Sequence, residues 1–400
     1  MAIPSPIRSE LLRRRAEIVP YGHPDAGIEL VQSFGALDLE YAALRTNAVL
    51  IDQPQRATIE ITGSDRIDFL DRMLTQQLKP LAEKPLGTRN SFWLNRQGRI
   101  VADLRVLELG DRAQFDVDVH AAQTVIQTLS DYIFTEDVQL RDQTRTGHRL
   151  ALIGPTSAML LEQAVESVQT GEHPATMEIG NVSIATIAGA SVVIDRQTRL
   201  GVDEFAMLAR ADDAERVYLK LLELGMPEQL DAIGDEQAAF NSDGSPADTI
   251  RLRPAGWHAF NTVRIEAGVP MFYLDFGPDS LPAETGVFED RVSLTKGCYL
   301  GQEIVARMHS LGHPKKVLVA LRCEDGAADQ PVSGAPIMDM QGAEVGAVTS
   351  SSPSPLLGGS ILCFAMVKWG IHEPGTVVSI STDSEPISAT VQQPLRCVEP

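Results

Sequence analysis

The chain has 400 residues and a mass of 43.4 kDa, more than one ordinary hydrophobic core accommodates, so two or three domains are expected. Hydrophobic residues at 44% and charged residues at 22% exclude a disordered or collagen-like chain. The long charge-free stretch 345–367 is broken by Ser, Pro and Gly and cannot be a membrane-spanning helix. Thirty-four basic and 54 acidic side chains give a formal net charge of -20, which repels phosphate backbones and argues against direct nucleic-acid binding. An anionic small molecule is admitted only where Lys and Arg reverse that field locally. No apolar run follows the Arg13–Arg15 cluster, so no secretory signal is read and a cytoplasmic location is expected. The four cysteines (Cys298, Cys323, Cys363, Cys397) have wide, irregular spacing that suits reduced thiols rather than a disulfide framework.

Residues 1 to about 35 read as an irregular lead-in, followed by a short helix over 38–48. Ala57–Ile61 alternates apolar and polar residues as a half-buried strand does. Gly63 ends it, and Ser64 or Asp65 is placed to cap a helix with Ile67, Leu70 and Leu74 on one face. Strands are expected at 100–109 and 115–119, and a helix with Ala122, Val125, Ile126, Leu129 and Ile133 at helical spacing. The order then repeats: strand 149–153, a Gly154-Pro155 turn, a helix capped by Thr156 with Ala158, Leu161, Val165 and Val168 on one face, a hairpin region over 182–209, and a helix carrying Ala214, Val217, Leu221 and Leu224. Two similar α+β units are the simplest explanation. From Val317 short β-runs (317–321, 344–349, 361–367, 376–380, 389–391) punctuated by Gly and Pro predict a small β-barrel.

No phosphate-binding Gly-rich loop and no zinc-type Cys/His spacing is present. His309 and His313 are four apart, but Gly312 and Pro314 end any helix between them, which leaves two loop histidines. The unusual segment is Lys296-Gly-Cys-Tyr-Leu-Gly-Gln-Glu-Ile-Val-Ala-Arg307. A helix from about Gly301 would put Cys298 just before its N-terminus and near Lys296, and both effects favour a thiolate. Residue chemistry leaves two readings open, a reactive thiol or an inert buried cysteine beside a turn glycine. Glu266, at the end of a helix among apolar residues, needs a partner. A ligand with adjacent N–H donors such as a pterin suits it, and a salt bridge to Arg264 or Arg251 is the plain alternative. Asp103 reads first as a surface carboxylate near a turn.

These residues resemble a known family. K-G-C-Y-L-G-Q-E is the signature of YgfZ-type folate-binding proteins, relatives of the glycine cleavage T-protein (aminomethyltransferase) that act in iron–sulfur cluster assembly and repair. Ile61-Thr-Gly-Ser-Asp65, Arg264-Ile-Glu-Ala-Gly268 and Pro282-Ala-Glu284 extend the resemblance along most of the chain. It implies an α+β, three-domain cloverleaf of two ferredoxin-like α+β units plus a C-terminal small β-barrel, around a funnel holding tetrahydrofolate. The expected boundaries are 1–48 for the lead-in, 49–145 for the folate-binding unit, 146–312 for the second unit with the signature, and 313–400 for the barrel. Carried over residue by residue, Glu266 falls on the pterin-binding glutamate and Asp103 on the catalytic aspartate. His120 replaces an asparagine that lines the folate site, Ala102 replaces a first aspartate, and G-E-x-G is degraded to Gly201-Val-Asp-Glu204.

The implied activity is that of a tetrahydrofolate-binding accessory protein for iron–sulfur enzymes, tRNA-modifying ones included, with Cys298 as working thiol. Lys296, Tyr299, Gln302, Glu303 and Arg307 are expected around the cofactor. The alternative is a folate-dependent aminomethyl or methyl transferase using Asp103 as acid. A third reading is a scaffold of this fold that has lost its ligand. Lys296, Arg307, Lys315 and Lys316 are expected to form a basic rim for the anionic glutamate tail. Iron–sulfur proteins or their assembly machinery are the expected partners, with no membrane involved.

Overall fold

The computed structural model describes residues 4–226, 251–327, 329–392 and 395–396. The chain divides into two compact units. The first takes Met1–Gln55, Thr144–Thr198 and Val202–Phe260, and the second takes Arg56–Gln143, Arg199–Gly201 and Asn261–Pro400.

In the second unit the alternating run after Gln55 becomes the strand Arg56–Thr62, within a five-stranded antiparallel sheet. The order across that sheet is Thr88–Leu94, Ile100–Glu108, Ala113–Asp118, Arg56–Thr62, Gln139–Asp142. Ala57, Ile59 and Ile61 face a core completed by Phe69, Leu70, Leu74, Trp93, Phe115, Val125 and Leu129. The helices Arg66–Met73 and Val119–Ser130 lay their apolar stripes on that core. Each such side chain contributes about 1.5–3 kcal/mol by leaving water.

The first unit runs through the same order. Val182–Ile187, Ala190–Gln197, Glu204–Arg210 and Gly147–Ile153 neighbour one another as the first four strands of the other sheet do. Ala48–Asp52 follows, and Leu252–Pro254 joins it in parallel at the edge. The expected duplication is therefore present, down to the glycine that ends each leading strand. Gly63 has φ +109° and Gly154 φ +130°, and a Cβ would stand 1.9 Å from the carbonyl oxygen of Asp137 or 2.3 Å from that of Asn47. Only glycine fits either turn.

Several local expectations change. The helix expected over 38–48 is Leu37–Thr46, and Ala48–Asp52 is a strand of the seven-stranded sheet, buried along its whole length. Such a run shows no alternation to read, and the boundary expected at 48/49 falls inside it. The 157-helix stops at Ala164, and Val165 and Val168 lie on the edge strand Val165–Thr170, where β-branched residues favour extended backbone. Asp65 and Thr156 occupy N-cap positions without a side-chain cap bond. Asp65 instead accepts from the Asp137 N–H, Ser64 donates to the Asp137 carboxylate, and the buried Thr156 hydroxyl has no partner.

The C-terminal segment is a closed barrel of six strands in the order Lys316–Cys323, Ile361–Lys368, Glu344–Pro353, Pro336–Met338, Val377–Ile380, Ile387–Gln392. Five of these were legible as β-runs. The sixth, Pro336–Met338, is three residues long and opens on a proline, too short to show a period. Among the described residues no helix is long and apolar enough to cross a membrane.

Candidate functional site

All the expected site residues belong to the second unit, which holds the five-stranded sheet, the 261–312 segment and the barrel. Asp103 lies within Ile100–Glu108, directly opposite Phe92. It is not a surface carboxylate. Its side chain is 14% exposed and faces Arg291, whose Nε donates to Oδ1 at 3.1 Å and whose second nitrogen reaches Oδ2 at 3.4 Å. Arg291 also pairs with Asp290, and the Thr75 hydroxyl donates to its carbonyl at 2.6 Å.

From Phe92 a run of ring contacts leads away from Asp103. Phe92 meets Phe276 edge-on at 6.1 Å, Phe276 meets Phe272 at 5.7 Å, and Phe272 meets Tyr273 at 4.3 Å. Tyr273 then meets the His120 ring edge-on at 6.2 Å. Tyr273 is 38% exposed and has φ +69°, an uncommon backbone conformation for a bulky residue that is typical of functional sites. Burial, then the nearby Asp118 charge, push its hydroxyl pKa up. The strand expected at 115–119 is Ala113–Asp118, and His120 does not extend it. It stands instead in the first turn of Val119–Ser130, exposed, with its N–H capped by the Asp118 carboxylate at 2.9 Å.

Glu266 closes the helix Trp257–Glu266 and is 1% exposed. One of its oxygens accepts from the Ser354 hydroxyl at 2.5 Å. Arg264 pairs with Asp275 at 2.7 Å, donates to Ser350 at 2.6 Å and lies over the Phe364 ring, fixing the helix to the barrel. A carboxylate offers about four acceptor positions, and Ser354 is among the partners that orient Glu266. Its chemistry fits the adjacent N–H donors of a pterin, with Ser354 orienting it.

The cysteine segment is built differently from the expectation. Lys296 does not stand beside the thiol as a free charge. Its ammonium is buried and donates to the carbonyls of Asp71, of Leu74 at 2.8 Å and of Gln76 at 3.0 Å. These carbonyls lie at the C-terminal end of Arg66–Met73, where a helix leaves acceptors without intrahelical partners. Desolvation lowers the Lys296 pKa to about 8, and Asp71 opposes the shift. The ammonium also lies 5.4 Å from the centre of the Tyr299 ring, itself buried in the sheet core, its hydroxyl pushed up to about 12 by burial. Lysine and tyrosine thus staple the segment down on either side, and Gly297 and Cys298 are left exposed between them.

The helix itself is Gln302–Leu311, with Gly301 at its N-cap, so Cys298 precedes the cap by three residues. That is beyond the first turn, where a helix terminus acts most strongly on charge. Gly301 has φ +81°, and a Cβ there would meet the Asn95 carbonyl at 2.9 Å and Gly98 Cα at 3.0 Å. This glycine–glycine approach seats the helix on the turn that opens Asp103's strand. Gln302 is half-buried, while Glu303 and Arg307 are exposed on the helix surface. His309 stacks on Phe288 and His313 on Trp369, so the two histidines face different rings.

Sequence reasoning missed Arg291, Ser354 and Tyr273. Arg291 meets Asp103 across 188 residues and Ser354 meets Glu266 across 88, so neither pairing shows in the local sequence. For Tyr273 the neighbouring aromatic cluster 272–276 was the available signal.

Comparison with known proteins agrees with this architecture. The GCVT N-terminal domain model matches residues 14–241, and the glycine cleavage T-protein C-terminal barrel domain model matches 316–395. An aminomethyltransferase of Bacillus subtilis (strain 168) is 24% identical over 366 residues, covering 91% of this chain and 92% of that protein. One of Bacillus pumilus (strain SAFR-032) is 25% identical over 368 residues, covering 91% of both. The crystal structure of glycine cleavage system aminomethyltransferase T from Bartonella henselae superposes with a TM-score of 0.80 at 22% identity, covering 98% of this chain and 97% of that one, a likeness of fold.

Proposed function

The chain belongs to the glycine cleavage T-protein family, and from that premise we propose that it binds tetrahydrofolate and serves as an accessory protein in iron–sulfur cluster assembly or repair, with Cys298 as its working thiol. The observation that carries this reading is the mounting of Cys298. A buried lysine and a buried tyrosine fix the segment while the thiol between them stays exposed, an arrangement that keeps a reactive group both placed and accessible. The signature K-G-C-Y-L-G-Q-E supports the iron–sulfur assignment. The clients would be iron–sulfur enzymes, including those that modify tRNA, and any effect on tRNA is indirect because a net charge of -20 disfavours RNA.

In this reading the exposed Tyr273–His120 pair offers the ring surface for the pterin, and Glu266 supplies the carboxylate for its N–H donors. Tetrahydrofolate would supply one-carbon and reducing chemistry beside the thiol. Asp103 is engaged by Arg291 from one side, so its first role is to position the 288–296 segment against the sheet.

The names of the Bacillus relatives favour a second reading, folate-dependent aminomethyl transfer with Asp103 as the acid near the folate nitrogen. Asp103→Asn separates the two. A transferase loses turnover, whereas an accessory protein keeps its role in the cell as long as Cys298 is intact.

The direct test of the folate reading is an anaerobic calorimetric titration with tetrahydrofolate. Saturable binding weakened at least tenfold by Glu266→Gln and by Tyr273→Ala is expected. A folded protein that takes up no tetrahydrofolate overturns the proposal.

A further inference from the structure

The barrel carries an open cleft of about 490 Å³, lined by none of the residues placed at the candidate site. One wall is the segment 329–336 and the other is 381–383. The Ser381 N–H donates to the Pro336 carbonyl at 2.9 Å, and the Ser384 hydroxyl donates to the Asp329 carboxylate, so the two walls are tied together. Behind the longer wall, the Gly334 N–H donates to the Val348 carbonyl at 2.8 Å and the Ser351 hydroxyl to the Pro331 carbonyl at 2.5 Å. The cleft is fixed by its own hydrogen bonds and needs little ordering to receive a ligand. Its volume falls in the range of binding clefts, about 300–1,000 Å³.

The lining has a definite chemical sense. Asp329 and Asp383 contribute carboxylates, and among the described residues the lining contains no Lys, Arg or His. The barrel's ion pairs among the described residues join Arg322 to Asp325 and His372 to Glu373, and none involves Asp329 or Asp383. Gln330 directs its amide N–H groups to Ser351, and Thr382 directs its hydroxyl to the Glu385 carbonyl at 2.7 Å. These donors are spent inside the protein, while each carboxylate keeps acceptor positions for a ligand. Val332, 71% exposed, and Pro336 add apolar surface. A ligand that fits donates hydrogen bonds, carries positive charge and brings an apolar stem. Arg and Lys side chains meet all three conditions.

The clients proposed above supply that chemistry. An enzyme that acts on tRNA presents Lys and Arg to the phosphate backbone. A chain of net charge -20 attracts such a surface at long range but gives it no register. A cleft with two carboxylates beside apolar surface does give one. We propose that the cleft between 329–336 and 381–383 docks an extended Arg- or Lys-bearing segment of a client enzyme. Asp329 and Asp383 take the cations, and Val332 and Pro336 take their stems. The inference rests on the accessory-protein reading and adds to it the surface by which a client is held.

The test measures fluorescence anisotropy of a labelled Gly-Arg-Val-Arg-Val-Arg-Gly peptide titrated with the full-length protein. Its control peptide carries citrulline, which is neutral, in place of each arginine. Asp329→Asn combined with Asp383→Asn keeps an acceptor for Ser384 and removes both charges, and an unchanged melting temperature checks its fold. Glu162→Gln combined with Glu172→Gln makes the same change in net charge at exposed positions of the first unit. The cleft variant should bind the arginine peptide about tenfold more weakly than the wild type, and the control variant less than about twofold more weakly. Asp383→Asn alone, at an exposed position, should lose about threefold. Equal weakening in the two double variants overturns the inference, because the general field then suffices. Equal binding of the citrulline peptide, or no binding of the arginine peptide by the wild type, overturns it as well.

A second readout separates this inference from the reading beneath it. In cells, the cleft variant should lower tRNA modification as Cys298→Ser does, while its affinity for tetrahydrofolate stays at the wild-type level. If Cys298→Ser lowers modification and the cleft variant does not, the docking inference falls and the accessory reading stands. If Cys298→Ser leaves modification intact, the accessory reading falls and the docking inference falls with it.

Discussion

Two regions of the second unit hold thiols in opposite ways. In the barrel, Cys323 and Cys363 are 1% and 0% exposed among Leu321, Val319 and Ile361. A hydrogen bond from Cys363 holds the Cys323 pKa below the ordinary value, against burial and the Glu324 charge. Yet nothing reaches either sulfur while the barrel is closed. In the signature segment Cys298 is exposed, because the residues on either side of it are the ones buried. In the barrel, access rather than acidity is what the fold withholds. The signature shows that access without mobility requires its own anchors, and here those anchors are a buried ammonium and a buried ring. The fourth cysteine, Cys397, expected beside a β-run, lies outside the described residues.

The largest expected effect tests this contrast directly. In a Cys397→Ser background, iodoacetamide followed by mass spectrometry should modify Cys298 on the order of a thousandfold faster than Cys323 or Cys363, whose exposure requires the barrel to open. Comparable rates at all three would remove the distinction. Next in size is the anchor. Lys296→Ala leaves the carbonyls of Asp71, Leu74 and Gln76 without their donor, at a cost of about 3 kcal/mol in denaturant unfolding.

The anchor also has a pH signature. The Lys296 pKa is about 8 in the folded chain against 10.5 for an ordinary lysine. Between those values the unfolded chain binds more protons than the folded one, so Lys296 makes stability rise with pH across that window. Lys296→Met should lack the rise, and an unchanged pH profile would show that the ammonium is not desolvated.

Gly301→Ala forces a β-carbon against the Asn95 carbonyl at positive φ and should cost about 1–3 kcal/mol. It should also raise the mobility of Cys298, readable with a spin label on that thiol. The smallest effect is expected for Asp103→Asn. That substitution weakens a partly exposed ion pair with Arg291 by about 1 kcal/mol in thermal unfolding. A loss several times larger would mark Asp103 as part of a deeper network.

Much of the architecture was legible in the chain itself. Ala57–Ile61 and the helices after Gly63 and Gly154 were readable because one face of each meets a core and the other does not. The duplication followed from that order. Unreadable were the elements buried on all sides or too short to show a period, such as Ala48–Asp52 and Pro336–Met338. At the candidate site, residue types were readable and partnerships were not. Lys296 was recognisable as a charge near a cysteine, but a lysine on the surface and a lysine under three carbonyls have the same letter. Glu266 was recognised as needing a partner, and Ser354, 88 residues away, is one that only folding supplies.

The sequence by itself determined the two repeated α+β units, the barrel and the segment around Cys298, because periodicity, glycine turns and the signature octet are local properties. Only the tertiary structure decided which charges are free to act. It committed Arg264 to Asp275, Arg291 to Asp103 and Lys296 to the end of a helix. It left Lys315, Lys316 and Lys368 facing outward together. The physical reason is desolvation: whether a charge is paired, buried or exposed depends on residues far away in the chain, which only folding brings within hydrogen-bond distance.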